Sequence, residues 1–561
     1  MPSIVPLMSS KKIISASTAE YFSKNLQQVG FSSLTKAVLT TLKEAVDNSL
    51  DACEDAGILP EITVEIEKAG VGTLKNADLI RIRVEDNGPG LDMEQLPQVF
   101  GEYLASSKFG RGRCTRGQQG IGISAATTWA QLTSASGAKV VSKTKTMRQA
   151  ISCMIEVDIK NNRGVVKNKD SISWNKPHGL SVEFLIDGRI QLNGEAGILN
   201  YISGTTLVNP HLTLRYKIAG VEEPVSIERV STVCPVIPDA TEPHPHTMKL
   251  GEFIAHSHLF GRTTVGNWLK RAYSRVNEGT LKEIIAAGCP KGVMAKSVDS
   301  LKEEDFKNLF SAIQKAPLMA PSTRSVFMIG EDTLGKSVNR LGEVDFFSVI
   351  TRKPTVVDFK PVAVEVAIAR LRHSGLDADE QVQVLRFANR VPLQFDKSGC
   401  VTTRAIETVN WRSYGIAQPK NSLPQGPFVI AVSVVSPFIK FKNASKETID
   451  SSDDLLEEIR RALMQAGQKL SRHIRAESRA TDLEQKLRHI EQFCPILVEG
   501  LCRIVNASES RKKKAEEGIA KLLGRDARDA EQHLKDAKNA LGAEKKAPKD
   551  PDDEAGEARA D

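Results

Sequence analysis

"LKEAVDNSLDACEDAG", residues 42–57, is the stretch on which the reading of this chain turns. Leu39, Leu42, Val46, Leu50 and Cys53 recur at steps of three and four, which predicts the buried face of a helix over 34–55. Glu44, Asp47, Asn48 and Asp51 fall at i, i+3, i+4 and i+7, so they share a second stripe with three carboxylates, one amide and no cation. Like charges so spaced cost a helix roughly 0.2–0.5 kcal/mol per pair. A solvated polar face accounts for the stripe as readily as chemistry does. The chemical reading is a seat for a hydrated divalent ion beside an attacking water. Magnesium takes oxygen ligands, commonly one or two from the protein plus substrate phosphates, and a neighbouring carboxylate accepts a proton from water. The helix alone leaves both readings open.

Two later stretches bear on the choice. The strand-like "LIRIRV" ends in "EDNGPG", Glu85 to Gly90. Asp-x-Gly-x-Gly at a strand end sets the Asp86 carboxylate in a tight, open turn, where it can accept from an exocyclic amine while the glycines let a flat base approach. The same residues are also plain β-turn chemistry. Next, "SSKFGRGRCTRGQQGIGISAATTWA" carries Gly110, Gly112, Gly117, Gly120 and Gly122 and then a helical pattern over Ile123–Trp129. A glycine-rich loop opening a helix aims backbone N–H groups and the positive end of the dipole at an anion. Arg111, Arg113 and Arg116 add charge to that loop. The spacing matches neither the P-loop nor the dinucleotide fingerprint, and a flexible linker is the alternative.

The 561 residues exceed what one core organises and predict three or four domains. With 40% apolar and 26% charged residues the composition is globular. The longest apolar run, "GPFVIAVSVVSPFI" at 426–439, is too short to span a bilayer and reads as a buried strand at 428–435. No charged n-region with an apolar h-region opens the chain, so an intracellular protein is expected. The eight cysteines are scattered without metal spacing, which fits reduced thiols. Net charge is +7, from 76 basic and 69 acidic residues, compatible with nucleic acid without requiring it. Aromatics at 5% argue against a base-stacking single-strand binder. "KKIISAS" suggests a strand-like arm, and "EITVEIEKA", "DLIRIRVED", "SCMIEVDIK" and "LSVEFLID" read as strands of an α+β sandwich. Proline-rich "CPVIPDATEPHPHT" at 234–247 marks a boundary. Short helical patterns fill 248–320, with Lys270, Arg271, Arg275, Lys282 and Lys291 among them. Strands are expected to return from 325, and 453–493 reads as one long helix with Leu456, Ile459, Leu463, Leu470 and Ile474 at helical spacing. Past roughly 507 the chain reads as a disordered tail or marginal helix.

In this order the three stretches resemble the ATP-binding domain shared by gyrase, heat-shock chaperones, histidine kinases and mismatch-repair ATPases. "LKEAVDNSLDA", "VEDNGPG", "SSKF", "RGQQGIGISAA", "LRFANRVPL", "VNWRSYG" and "FKNASKETI" extend the likeness over roughly 20–500, to B subunits of type IIB DNA topoisomerases of the archaeal kind. The resemblance implies an α+β protein: an arm (1–20), a Bergerat-type ATPase sandwich (21–240), an all-α helix–two-turns–helix insert (241–322), an α/β transducer (323–452), a stalk helix contacting the A subunit (453–506) and a charged tail (507–561). It implies ATP and Mg²⁺ as cofactors, with Glu44 as the base and Asn48 as the metal ligand. Asp86, Gly88 and Gly90 would read adenine. Gly117, Gln118, Gln119, Gly120, Ile121 and Gly122 would form the phosphate lid, Ser107, Lys108, Ile123 and Ser124 would also bind the nucleotide, and Lys446 would sense the γ-phosphate.

The implied partners are a DNA-cleaving A subunit in an A2B2 heterotetramer, a second copy of the chain joined on ATP binding, and duplex DNA. No membrane is implied, and the place is the cytoplasm, at the nucleoid. "HGLSVEF" departs from the family, with Leu180 where a threonine usually follows His178-Gly179, and Ser181 is the nearest substitute. A gyrase-like or mismatch-repair clamp is the rival reading. Against a gyrase-like protein, the Asp-x-Asp candidate in the region expected to be the transducer, Asp377 and Asp379, has no strand before it. A sensor histidine kinase would carry this domain behind a phospho-acceptor helix.

Overall fold

The computed structural model describes residues 15–105, 112–117, 119–194, 196–372, 379–521, 524 and 528. Two units separate, one of Met1–Val409 with Gly426–Leu463 and one of Asn410–Gln425 with Met464–Asp561. The fold is α+β.

In the first unit, helix α1 is Thr18–Lys24 and α2 is Leu34–Asp55, capped by the Ser17 and Ser33 hydroxyls. The expected strand-like arm lies outside the described residues up to 14. Its remainder, 15–17, is not a strand: the Ser17 hydroxyl donates to the Ile159 carbonyl, and Ala19 is buried in the main core. Strands β1 (Glu61–Val71), β2 (Asp78–Asp86), β3 (Ala138–Lys143), β4 (Ala150–Asp158), β5 (Arg163–Ile172), β6 (Gly179–Gly188), β7 (Thr213–Ile218) and β8 (Val225–Ile227) form one sheet, ordered β5-β4-β3-β6-β2-β1-β7-β8. All its pairs are antiparallel except β1 with β7.

Alternation puts one face of each strand inward. Val64, Val84 and Val182 stand in register across β1, β2 and β6, as do Ile66, Ile82 and Phe184. These rows belong to one buried core with Leu39, Leu42, Val46 and Leu50 of α2. Each such burial contributes roughly 1.5–3 kcal/mol, which is why α2 keeps its apolar face on the sheet and its acidic stripe turned elsewhere. Helices α3 (Gln95–Gly101), α4 (Gly122–Ser134) and α5 (Ile198–Val208) complete this layer.

Helices α6 (Leu250–Ser257), α7 (Val265–Ala272), α8 (Glu278–Ala286) and α9 (Glu303–Lys315) have their own core around Phe253, Trp268, Leu269, Leu309 and Ile313. Two of the insert's basic residues are tied inside it, Lys270 to Glu278 and Arg275 to the Ala320 carbonyl.

Strands do not return at 325. The N–H groups of Ile329 and Gly330 donate to the buried Glu365 carboxylate instead of to a strand, and helix α10, Glu331–Val338, follows with two acids in its first turn. The second sheet begins with β9 (Val344–Thr351), then β10 (Thr355–Val357), β11 (Lys360–Leu371), β12 (Gln383–Ala388), β13 (Val391–Pro392) and, after helix α11 (Val401–Thr408), β14 (Phe428–Val435). Its order is β10-β11-β14-β12-β13, with β9 beside β11. Every residue of β14 is buried, as its unbroken apolar run requires of a central strand.

Helix α12, Asp453–Ile504, runs beyond the expected end at 493 and continues through Pro495. In the second unit Gly467 of α12 lies against the Tyr414 ring, where a Cβ would come within 2.7 Å. Residues 509–521 are helical. Among the described residues no helix is long and apolar enough to cross a membrane.

Candidate nucleotide site

The members of the acidic stripe of α2 meet different surroundings. Glu44 and Asn48 line a cavity of about 300 Å³, together with Lys43, Asp86, Gly90, Phe100, Gly117, Gln119, Gly120, Ile121, Gly122, Ile123, Leu180, Val182, Gln394, Phe395 and Lys446. Asp47 and Asp51 are buried. Burial pushes the Asp47 carboxyl up to about 7 against the pull of Lys43. Asp51 meets the cation that the stripe itself lacks: Arg116 Nη1 donates to it at 2.8 Å.

Asp86 closes one end of the cavity. Its Oδ1 accepts from the N–H groups of Gly88 (2.9 Å) and Leu180 (3.2 Å), and its Oδ2 accepts from the Ser49 hydroxyl (2.7 Å). Burial raises its pKa against these bonds. Backbone and hydroxyl donors thus fix the carboxylate in place, and Oδ2 can still take a further donor. Gly90 has φ +72, and a Cβ there would sit 2.3 Å from the Lys143 carbonyl oxygen, so the turn admits glycine alone.

At the other end the N-terminus of α4 meets Glu44. A Cβ on Gly122 would lie 1.8 Å from Glu44 Oε2, and one on Gly117 would lie 3.3 Å from Asn48 Oδ1. The missing side chains let a carboxylate, an amide oxygen and the first turn of a helix occupy one corner. Lys446 enters that corner from the loop after β14. It is held rather than loose: its Nζ donates to the Arg116 carbonyl at 3.0 Å, and burial lowers its pKa against the pull of Glu44.

Several expectations change. Arg116 does not charge the loop toward an anion; it is buried between Asp51 and Glu54. Arg113 donates to the Pro238 and Ile237 carbonyls and pairs with Asp55. Ser181 does not replace the absent threonine. Leu180 and Val182 face the cavity, so the intervening Ser181 points to the other side of β6, where it accepts from Arg83 Nε at 3.1 Å. The hydroxyl on Asp86 is that of Ser49, the residue after Asn48 on α2. The Ser124 hydroxyl donates to the Glu102 carbonyl (2.7 Å), and the Gly88 N–H is spent on Asp86. Ser107, Lys108, Gln118, Gly110, Arg111 and Asp377 lie outside the described residues. Lys43, Gln394 and Phe395 also line the cavity and were not among the candidate site residues. Lys43 has a local signal, its place beside Glu44, whereas Gln394 and Phe395 are brought in by tertiary packing alone.

A backbone-held carboxylate at one end of the cavity, a glycine-opened helix N-terminus at the other and a Glu/Asn helix alongside accord with an ATPase of the type that joins histidine kinases, gyrase B and heat-shock chaperones. The family model described as "Histidine kinase-, DNA gyrase B-, and HSP90-like ATPase" matches residues 34–158, and the model "Topoisomerase VI B subunit, transducer" matches residues 321–486. The B subunit of type 2 DNA topoisomerase 6 from Archaeoglobus fulgidus is 34% identical over 511 residues, 91% of this chain and 82% of that protein. The proteins of the same name from Methanosarcina mazei and Methanococcoides burtonii are 33% and 34% identical, each over 92% of this chain and 80% of the relative. The chain belongs to the family of type 2 DNA topoisomerase 6 B subunits. It is the ATPase-bearing B subunit of an ATP-dependent type II DNA topoisomerase.

Proposed function

We propose that ATP occupies the cavity with its adenine amine on Asp86 and its phosphates at the first turn of α4, Gly122 and Ile123, cradled by Gly117, Gln119, Gly120 and Ile121. The observation that carries this reading is the convergence of Asp86, Glu44, Asn48, the α4 N-terminus and Lys446 on one cavity. Glu44 takes the proton from the attacking water. The Asn48 amide oxygen, a hard neutral donor beside the phosphate corner, suits Mg²⁺, which when bound neutralises phosphate charge. Among the described residues no group of three His, Cys, Asp or Glu could hold a metal, so phosphates and water would complete the shell. Lys446 gives up the Arg116 carbonyl for the γ-phosphate, a contact ADP cannot offer, and so favours the ATP-bound arrangement.

In this reading ATP joins two N-terminal domains (21–240), braced by the 1–20 arm, into a gate that captures a second duplex at the nucleoid. The insert (241–322) and transducer (323–452) pass the change to the stalk (453–506), and a DNA-cleaving A subunit completes an A2B2 assembly that relaxes and decatenates DNA. Phe493, Leu497, Leu501 and Ile504, 51–79% exposed, recur along one side of the end of α12. An exposed apolar stripe of this kind supports a protein contact there.

The test is Glu44→Ala. Loss of a general base costs about 10²–10⁴-fold in turnover, while the variant still binds ATP and dimerises with a non-hydrolysable analogue. Turnover within a few-fold of the parent would move the base to another residue.

A further inference from the structure

Behind the nucleotide cavity two arginines and two carboxylates form a closed cluster. Glu54 of α2 accepts from Arg116 Nη1 at 3.0 Å and Nη2 at 2.7 Å, from Arg390 Nη1 and Nη2 at 2.8 Å each, and lies 2.9 Å from His211 Nε2. Asp51 takes the other bond of Arg116 Nη1. The four charged side chains are at most 2% exposed. Two cations balance two carboxylates, the condition for burying any of them.

The members come from three parts that a nucleotide-driven change has to move in concert. Arg116 precedes Gly117, whose N–H donates to Asp51 at 3.1 Å, and the Arg116 carbonyl is the acceptor of Lys446. Glu54 lies on the helix of Glu44 and Asn48. Arg390 lies in the tight turn between β12 and β13, where Asn389 and Arg390 both have positive φ, 48° and 63°. An arginine takes that conformation at a cost, and here its fork is held by Glu54 and its guanidinium covers the Phe327 ring at 4.6 Å. Asn389 exchanges two hydrogen bonds of 3.0 Å with Ser436, at the end of β14 from which the Lys446 loop departs.

We infer that Glu54 and Arg390 are positioning residues for ATP-driven closure: the chain Arg390–Glu54–Arg116 fixes the transducer turn to the hinge of the phosphate loop and so sets where Lys446 stands. The inference rests on the nucleotide reading given above. Since it acts through Lys446, loosening it weakens the response to a γ-phosphate and spares ADP. His211 serves the same cluster as a neutral ring whose Nε2–H donates to Glu54, with burial lowering its pKa.

The test uses the full chain with Arg390→Lys, which keeps the charge and loses the fork, and Phe327→Leu, which changes no charge. Thermal melting checks folding, calorimetry gives ADP affinity, and light scattering gives the concentration of non-hydrolysable ATP analogue at half-dimerisation. For Arg390→Lys, ADP affinity stays within about threefold and the analogue midpoint rises about tenfold or more, within the usual range of coupling between sites. Phe327→Leu shifts the midpoint the same way by less, and adding Lys446→Met to Arg390→Lys brings less than the product of the two single effects. Equal loss of ADP and analogue responses, or an unmoved midpoint in a folded Arg390→Lys, overturns the inference; if that variant does not fold, Phe327→Leu decides. A parent chain that does not dimerise with the analogue overturns the functional reading as well, whereas a dimerising parent with unaltered variants overturns this inference alone.

Discussion

Glu44 and Asp51 differ by seven positions on one helix and have opposite fates. Glu44 faces the cavity, where a glycine's missing side chain makes room for it, and Asp51 is buried on an arginine. What separates them is their partners, not their place in the pattern. Lys446 follows the same logic: three lysines lie close in the loop after β14, and only one reaches the site. Lys442 Nζ donates to the Gly399 carbonyl, and Lys440 lines a different cavity with His246 and Asp450. Lys446→Ala is therefore expected to lower ATP turnover about 10²-fold, the usual cost of one donor to developing charge, with little change in ADP affinity and no such effect from Lys440→Ala. Steady-state hydrolysis with parallel ADP titrations checks this, and a larger defect in Lys440→Ala would contradict it. Glu44, Asn48, Asp86 and the glycines were legible in the sequence because each motif is local: its chemistry and its backbone demand lie within a few residues. Glu54 and Arg390 were not: they lie within "LKEAVDNSLDACEDAG" and "LRFANRVPL", but their pairing joins positions 336 residues apart, and no local pattern shows a partner at that distance. Arg116 was legible as a charge, but not as a buried one.

Between elements, the proline-rich connector shows how a segment without strands or long helices is fastened. The His244 Nδ1 accepts from the His246 N–H (3.3 Å), which leaves the proton on Nε2, 3.2 Å from the Met319 carbonyl, and the ring stacks on Phe359 at 5.1 Å. Both nitrogens are thus committed in the neutral ring. Burial, with the His246 ring beside it, lowers the pKa to about 4. The sign follows: between the unfolded value near 6.5 and about 4, the unfolded chain binds a proton that the folded chain refuses. Stability present above pH 6.5 is lost as pH falls through that window. From about pH 6.5 to about pH 5 the parent is expected to lose about 1–2 kcal/mol more than His244→Gln, at about 1.36 kcal/mol per pKa unit reduced for partial solvent access. Melting curves of both chains at the two pH values check it, and parallel shifts would contradict it. At this scale the sequence was clear where the hydrophobic period was clean, as in α2, β1, β2 and β14. It misled at 325–330, where the backbone donates to a buried carboxylate, a bond that no periodicity announces.

Across the molecule, one sheet with its helices carries the nucleotide cavity, and a second sheet delivers Lys446 to it within the same unit. Helix α12 ends in exposed apolar residues. We propose that a chain built this way converts nucleotide state into movement and leaves the breaking of DNA to a partner. The measurement that tests this most directly is relaxation of supercoiled duplex by the purified chain, with and without its A subunit and ATP. The chain alone is expected to leave DNA uncut, and the pair to relax it only when ATP is present. Strand breaks held covalently by the chain itself, or relaxation by the pair without ATP, would contradict the account.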